Sequence, residues 1–135
     1  MNVLASKKCE VCEIGAPLLT HEEIDELMPQ LKNWIIIETD GIRHLSRTFR
    51  FNNFKEALSF TNKVGTLAEL EGHHPSITTE RGQVTVCWWS RKIKGLHLND
   101  FIMASKTDTL TQPAHEDNAI KNKYRQGLGL GLNFW

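Results

Sequence analysis

Two adjacent histidines carry the strongest chemical signal in this sequence. The segment ELEGHHP at residues 69–75 places His73 and His74 after an apolar stripe that is typical of a helix. Because an imidazole can donate or accept a proton near neutral pH, such a pair suits general acid–base catalysis. Pro75 disfavours a helical backbone at His74, so both rings are expected in a turn beyond the helix end. Glu69 could orient His73 or balance its charge, although a His-His-Pro tripeptide by itself is more often an ordinary surface turn.

A second signal is the basic stretch from residue 81 to residue 98. It contains no acid and four basic residues: Arg81, Arg91, Lys92 and Lys94. One interpretation is a solvated strand edge. The other places the strand end at Ser90 and Arg91 beside the histidine turn, where it forms the polar rim of one pocket. His97 falls near the start of the last predicted helix, where the helix dipole favours a neutral imidazole, so we interpret it as a capping residue rather than a ligand.

The three cysteines predict neither a metal site nor a disulfide framework. Cys9 and Cys12 have the spacing of half a zinc site, but a structural zinc needs four ligands and the sequence has no second CxxC or CxxH pair. A thioredoxin-like motif would need a βαβ setting, which is absent here. Cys87, in the middle of a predicted strand, is assigned to the core. Three further histidines have no partner in the sequence and are interpreted as surface residues: His21, His44 and His115.

Length and composition are those of one small globular domain. The chain has 135 residues, of which 40% are hydrophobic and 24% charged, and 16 basic residues balance 16 acidic ones. The zero net charge removes the general electrostatic argument for nucleic-acid binding. The longest apolar runs have four residues, too few to span a membrane, and the N-terminus has no stretch suited to a signal peptide. We therefore expect a cytoplasmic domain that binds neither nucleic acid directly nor a membrane.

Capping and periodicity rules predict three helices and four strands. The helices are expected to begin at Thr20, Asn53 and Leu98 and to end near Met28, Gly72 and Leu110. The strands are expected over residues 34–39, 42–51, 77–80 and 83–90. The hairpin turns are Asp40-Gly41 and Arg81-Gly82. Pro29 lacks a backbone donor, which is why the first helix should kink or stop early.

The resulting order, α-β-β-α-β-β-α, predicts an α+β fold with a four-stranded antiparallel sheet and three helices on one face. Trp88 and Trp89 are successive strand residues, so they must face opposite sides of the sheet. Because three helices can cover only one face, an aromatic surface is left on the other, and we predict a homo-oligomer. The domain is placed at residues 18–112, with an N-terminal extension at 1–17 and a C-terminal tail at 113–135 that is expected to be mobile.

Several motifs in a fixed order resemble one known family. E-x-x-x-H-H-P at residues 69–75 is followed by a strand ending in W-W-S and then by I-K-G-L-H-x-N-D-F-I-M-A at residues 93–104. With N-F-K-x-A-L-x-F-T-N at 53–62 and A-S-K-T-D at 104–108, these motifs make residues 18–112 similar to the pterin-4a-carbinolamine dehydratases. The similarity is closest to the bacterial type associated with phenylalanine hydroxylase. The fold of that family agrees with the element order predicted above.

The resemblance implies a hydro-lyase. The family removes water from a 4a-hydroxytetrahydropterin to give a quinonoid dihydropterin, which recycles the pterin of aromatic amino-acid hydroxylation. One proton must reach the departing hydroxyl and another must leave ring N5, without a metal or redox cofactor. Carried over by motif, His73 and His74 are the acid–base pair, and Glu69 and Asp100 are assigned to substrate binding. Arg91, which does not match the motif, is also assigned to substrate binding. The resemblance also implies a homodimer or homotetramer, with an aromatic amino-acid hydroxylase as a candidate partner.

Two positions depart from the family pattern. Arg91 stands where the family commonly has a third active-site histidine, and Arg81 where it commonly has an aromatic residue. Since the pKa of an arginine lies above about 12, it cannot exchange protons usefully at neutral pH. Arg91 could instead donate hydrogen bonds to the pterin or lower the pKa of a nearby histidine.

Three functions are compatible with the sequence. They are a dehydratase that works mainly through two histidines, a module that binds a transcription factor or hydroxylase, and a metal-binding protein that uses Cys9, Cys12 and histidines.

Overall fold

The computed structural model describes residues 4–7 and 17–111, which contain three α-helices and four β-strands. In chain order these are α1 (His21–Leu27), β1 (Ile35–Thr39), β2 (Ile42–Arg50), α2 (Phe54–Glu71), β3 (Ser76–Glu80), β4 (Gln83–Trp88) and α3 (Leu98–Thr109). Short 3-10 turns cover Leu4–Ser6 and Met28–Gln30. The predicted α+β class and the order α-β-β-α-β-β-α are confirmed. Cys9, Cys12, His115 and the tail after Pro113 lie outside the described residues.

The strands form one antiparallel sheet in the order β1-β2-β4-β3. A two-residue turn joins β1 to β2 because Asp40 and Gly41 adopt positive φ angles of 54° and 78°, which match the twist of the flanking strands. Leu45 on β2 pairs with Trp88 on β4, and both are fully buried beneath the helices. We call this the inner face of the sheet. Since strand side chains alternate, the residues next to them point to the opposite, outer face.

The assignment of Cys87 to the core is wrong. Cys87 pairs with Ser46 across the two central strands, and its thiol lies 3.4 Å from the Ser46 hydroxyl oxygen. The side chain is half-buried on the outer face. The reason is alternation, because Val86 and Trp88 take the inner face and leave the residue between them on the other side.

Helices α2 and α3 contact the sheet, and polar groups of α3 anchor it there. The Trp88 indole N–H donates to Thr107 Oγ1 at 3.1 Å, and the Trp34 indole N–H donates to Asp108 Oδ1 at 2.8 Å. Arg47 also binds Asp108, with 2.6 Å between Nη1 and Oδ1. Burial raises the pKa of Asp108, an effect that the hydrogen bond from Trp34 and the charge of Arg47 oppose. These contacts set the position of α3 relative to the strand ends.

The first helix begins and ends where the sequence rules place it. Thr20 and Glu23 form the predicted capping box, with backbone-to-side-chain distances of 2.9 and 3.2 Å. The α-helix stops at Leu27, and Pro29 lies in the 3-10 turn that follows. Pro29 cannot donate a backbone hydrogen bond, which explains the early end.

The end of α2 determines where the two histidines can lie. Gly72 caps the helix in the left-handed conformation, with a φ of 66°. The His73 N–H then bonds back to the Ala68 carbonyl oxygen at 3.2 Å. Chain reversal at a left-handed C-cap of this kind satisfies the last helical carbonyls. The histidine turn is therefore attached to a defined point on α2.

Two glycine-to-alanine substitutions, one at the C-cap of α2 and one within the helix, should have opposite effects on stability. Gly72→Ala is expected to destabilise the fold by about 1 kcal/mol, because a Cβ is disfavoured at positive φ. Gly65→Ala is expected to stabilise it by up to about 1 kcal/mol, because this helical position has open space for a Cβ and alanine favours helix. Urea denaturation of both variants measures the difference. Equal stabilities would contradict the role given to Gly72.

Within the described ranges, none of the helices combines the length and the apolar character needed to cross a membrane.

Candidate active site

His73 and Asp100 form a hydrogen-bonded pair that we call the His73–Asp100 dyad. His73 Nε2 lies 2.6 Å from Asp100 Oδ1, and the two side chains are 11% and 0% exposed. The imidazole lies nearly parallel to the Trp88 indole, at 7° and 5.8 Å between ring centroids. A carboxylate can only accept at this contact when ionised, which assigns the proton to Nε2. Nδ1 is then the nitrogen that can exchange a proton with a bound molecule.

The Asp100 carboxylate joins three parts of the chain. Asp100 lies in the first turn of α3, where Oδ2 accepts the N–H of the capping residue His97 at 2.9 Å. The Ser90 hydroxyl, just beyond β4, donates to the same oxygen at 2.8 Å. The capping interpretation of His97 is confirmed, since its Nδ1 accepts the N–H of Asn99 at 3.0 Å. Ser90 thus lies beside the histidine turn. This is the position that the sequence analysis gave to the end of the strand when it interpreted the basic stretch as part of a pocket rim.

His74 pairs with a different carboxylate. Its Nε2 lies 2.5 Å from Glu69 Oε2, and the two side chains are 57% and 77% exposed. The contact that the sequence suggested between Glu69 and His73 is not formed. Because the chain reverses at Gly72, His73 turns toward α3 and His74 is the ring left beside the last turn of α2. Each imidazole therefore has its own carboxylate, one buried and one in solvent.

Trp89, His44 and Arg91 form a stack on the outer face that we call the Trp89 cluster. The His44 and Trp89 rings lie 3.9 Å apart at 11°, and Arg91 Cζ lies 4.0 Å from the Trp89 ring centroid. The interpretation of His44 as a surface residue without a partner is wrong. Because Leu45 pairs with Trp88 in antiparallel strands, His44 lies opposite Trp89, the residue that follows β4. The sequence could not reveal this pairing.

The charge of Arg91 acts on His44. Burial, followed by the positive charge of Arg91, lowers the pKa of His44, whereas the negative charge of Asp100 raises it. Arg91 was expected to lower the pKa of a nearby histidine, and this histidine is His44. The Trp89 cluster lies close to the dyad, because Trp89 directly precedes Ser90, whose hydroxyl donates to Asp100 at 2.8 Å.

Arg81 lies at the other end of the β3–β4 hairpin. Glu80 pairs with Gln83 beside the Arg81 turn, whereas Ser76 begins β3 at the end that follows His74. Arg81 therefore does not share the predicted polar rim with Ser90.

Two cavities have neither His73 nor His74 in their walls. One of about 540 Å³ lies between the entry to α1 and the start of α3 and has His97, Thr20 and Glu23 in its wall. The other, of about 460 Å³, runs along α2 to Leu110. Neither is the single pocket predicted to hold both imidazoles. The two rings point to different carboxylates, so a bound substrate would have to bridge a buried and an exposed histidine.

The described side chains offer proton transfer and hydrogen bonding. Within residues 4–7 and 17–111, no group of three or more His, Cys, Asp or Glu side chains could hold a metal ion. His73 and His74 can exchange protons, while Arg91 can only donate hydrogen bonds. Together with the buried carboxylate of Asp100, these groups suit a reaction in which one proton is removed and another is delivered.

Comparisons with known proteins match this chain to one family. Residues 17–110 match the sequence profile described as Pterin 4 alpha carbinolamine dehydratase. A relative from Syntrophotalea carbinolica that carries the name pterin-4-alpha-carbinolamine dehydratase is 58% identical over 112 residues, covering 83% of this chain and 100% of its own. Relatives of the same name from Nitrosococcus oceani and Photobacterium profundum are 61% and 55% identical and cover 82% and 80% of this chain, and 97% and 96% of their own lengths.

Solved structures share the fold. A transcriptional coactivator/pterin dehydratase from Brucella melitensis superposes with a TM-score of 0.62 at 28% identity, covering 70% of this chain and 98% of that one. A pterin dehydratase-like protein identified as a RuBisCO assembly factor in the alpha-carboxysome superposes with a TM-score of 0.51 at 20% identity, covering 59% and 90%. The second likeness is one of fold alone.

Proposed function

This chain belongs to the pterin 4 alpha carbinolamine dehydratase family, and on that premise we propose that it removes water from a 4a-hydroxytetrahydropterin. In this reaction the C4a–oxygen bond breaks and the hydroxyl leaves as water after taking up a proton. The proton on ring N5 is lost, and the electron pair of its N–H bond forms the N5–C4a double bond of the quinonoid dihydropterin. The reaction thus needs one base and one acid on the same edge of the ring.

His73 is the proposed base. The observation that carries the proposal is its bond from Nε2 to the buried carboxylate of Asp100. That bond orients the ring, leaves Nδ1 to take the N5 proton, and stabilises the imidazolium that forms. Since Asp100 is itself held by Ser90 and His97, the His73 ring is already oriented and has to move little during the reaction.

His74 is the proposed acid. Its half-exposed ring can be reprotonated from solvent after each turnover, and Glu69 balances the charge of the protonated form. Arg91 serves binding rather than proton transfer, because its guanidinium keeps its proton at neutral pH. Stacked on Trp89, it can direct N–H groups to a carbonyl or ring nitrogen of the pterin.

A stopped-flow dehydration assay tests this function. The wild-type protein is expected to accelerate the decay of a 4a-hydroxytetrahydropterin above the buffer rate. His74→Ala should lower kcat by about 10²–10⁴-fold, the usual contribution of one general catalyst. His21→Ala is a matched control, because His21, like His74, is an exposed histidine beside a charged side chain. Its ring nitrogens lie 3.5 and 3.2 Å from the guanidinium nitrogens of Arg43. Wild-type protein that leaves the buffer rate unchanged would contradict the proposal.

The proposal extends to the physiological role. The protein recycles the pterin used by an aromatic amino-acid hydroxylase in the cytoplasm, and it does so as a homodimer or homotetramer. Apolar surface supports self-association, since Ile35 on the outer face is 61% exposed and Leu58 and Leu70 on α2 are 44% and 79% exposed. A second copy could cover such side chains.

A protein-binding role is the second candidate. Phe54 and Leu58 lie one turn apart on α2 and are 48% and 44% exposed, and the similar Brucella protein is named a transcriptional coactivator as well as a pterin dehydratase. Binding through this helix would not need the histidines. It would therefore persist in the His74→Ala protein, whereas dehydration would not.

A further inference from the structure

We propose that the loop from Arg91 to Lys94 recognises an anionic group, a phosphate or a carboxylate, on the substituent that the pterin carries at C6. The inference rests on the proposed dehydratase function and narrows its substrate class. It would make the protein selective for pterins with a charged side chain over those with a neutral one.

The loop is attached directly to the dyad. Ser90 and Gly95 pair across its base, with backbone N–O distances of 2.8 and 3.3 Å. On one side, Ser90 donates to the Asp100 carboxylate, and on the other, His97 donates to the same oxygen. Lys92 is two residues beyond Ser90, so their Cα atoms are at most about 7 Å apart. The loop cannot lie far from His73.

The charges on this loop have no carboxylate partner among the described residues. Within the part of the chain that the structure describes, no carboxylate lies within ion-pair distance of Arg91, Lys92 or Lys94, and all three side chains are exposed. Arg47 and Lys106, by contrast, have carboxylate partners. In a chain with no net charge, three cations that have no ion-pair partner within residues 4–7 and 17–111 create a local positive potential that attracts an anion.

Two further features suit the loop to a ligand. Stacking on Trp89 orients the Arg91 guanidinium, whose planar set of donors matches the oxygens of a phosphate or carboxylate. Lys94 has a φ of 54°, a left-handed conformation that usually favours glycine or asparagine. Lys94 therefore occupies a backbone conformation that disfavours lysine, and residues in disfavoured conformations are common in functional loops.

The position of the reacting atoms explains why the C6 substituent would meet this loop. C6 is bonded to N5, the atom whose proton His73 is proposed to take. A substituent on C6 therefore begins one bond from the reacting edge. With N5 at the dyad, a side chain of a few atoms can reach cations on a loop whose two ends are both tied to Asp100.

The test compares three 4a-hydroxytetrahydropterins, with a neutral dihydroxypropyl group, a phosphate ester or a carboxylate at C6. The wild-type protein is expected to have a KM about ten- to hundredfold lower for the preferred anionic substrate, the range of charge-assisted hydrogen bonds, and the preference should shrink with added salt. The phosphate and carboxylate arms identify which anion is read. The double variant Lys92→Gln/Lys94→Asn should lose the preference but keep the kcat/KM for the neutral substrate. Arg81→Gln, at the other end of the hairpin, is the control.

Equilibrium binding separates this inference from the dehydratase proposal. The probes are the stable fluorescent pair 6-carboxypterin and 6-hydroxymethylpterin, measured by fluorescence anisotropy. Tighter binding of the carboxylate that the double variant loses supports the anion site even if no substrate is dehydrated. Turnover of all three substrates with equal KM, together with equal binding of the two probes, would overturn the inference and leave the dehydratase intact.

Discussion

Replacing His73 with glutamine is expected to lower kcat for dehydration by about 10²–10⁴-fold. Glutamine can still donate a hydrogen bond to Asp100, so the buried carboxylate stays paired and the fold should be retained. What is lost is the second ring nitrogen, which is the proposed acceptor of the N5 proton. The measurement is kcat by stopped flow, together with a urea unfolding curve to show that the variant is folded.

The pH dependence distinguishes a base from a structural residue. If His73 is the base, the residual activity of His73→Gln should lose the acidic limb of the wild-type profile, because no imidazole then has to be deprotonated at that position. A folded variant with an unchanged kcat would exclude His73 from catalysis. Activity that falls with an unchanged profile would place His73 among the binding groups.

Two substitutions of Asp100 should separate its effect on activity from its effect on stability. Asp100→Asn keeps one oxygen acceptor but replaces the other with an amide, so the preferred tautomer and the stabilised imidazolium of His73 are lost. We expect kcat to fall by about 10²-fold or more, with a smaller change in KM because Asp100 is buried. Asp100→Ala also leaves the Ser90 hydroxyl and the His97 N–H without their acceptor. It should cost about 3 kcal/mol of stability.

Asp25 provides the control for both variants. It is an exposed carboxylate on α1, and Asp25→Asn should leave kcat and the unfolding midpoint unchanged. Rate measurements and urea denaturation on the three proteins give both readouts. If Asp100→Ala were as stable as Asp25→Asn, the carboxylate would not be holding the strand end to the helix, and the case for a preorganised dyad would fail.

Features that depend on neighbouring residues could be predicted from the sequence. The Thr20–Glu23 capping box, the Asp40-Gly41 turn and the Gly72 cap each follow from residues a few positions apart, and the structure contains all three. Side-chain alternation and helical periodicity, applied between these signals, were sufficient for the element order. The order of the motifs was sufficient for the family, which the comparisons confirm.

Contacts between distant parts of the chain could not be predicted in the same way. The sequence suggested that Glu69 would serve His73 because helical spacing favours pairs four residues apart. That spacing applies only while the helix continues, and Gly72 ends it. His73 instead reaches Asp100, and Glu69 binds His74. Likewise, nothing near His44 in the sequence indicated that strand pairing would stack it on Trp89.

The sequence by itself determined the elements of this protein, their order and the chemical groups available to it, because these depend on backbone preferences that act over one or two turns. Only the tertiary structure decided which carboxylate serves which imidazole and which cations stand beside them. The physical reason is that these partners come from separate elements. Their meeting depends on strand register and on how α3 packs against the sheet, which no local preference specifies.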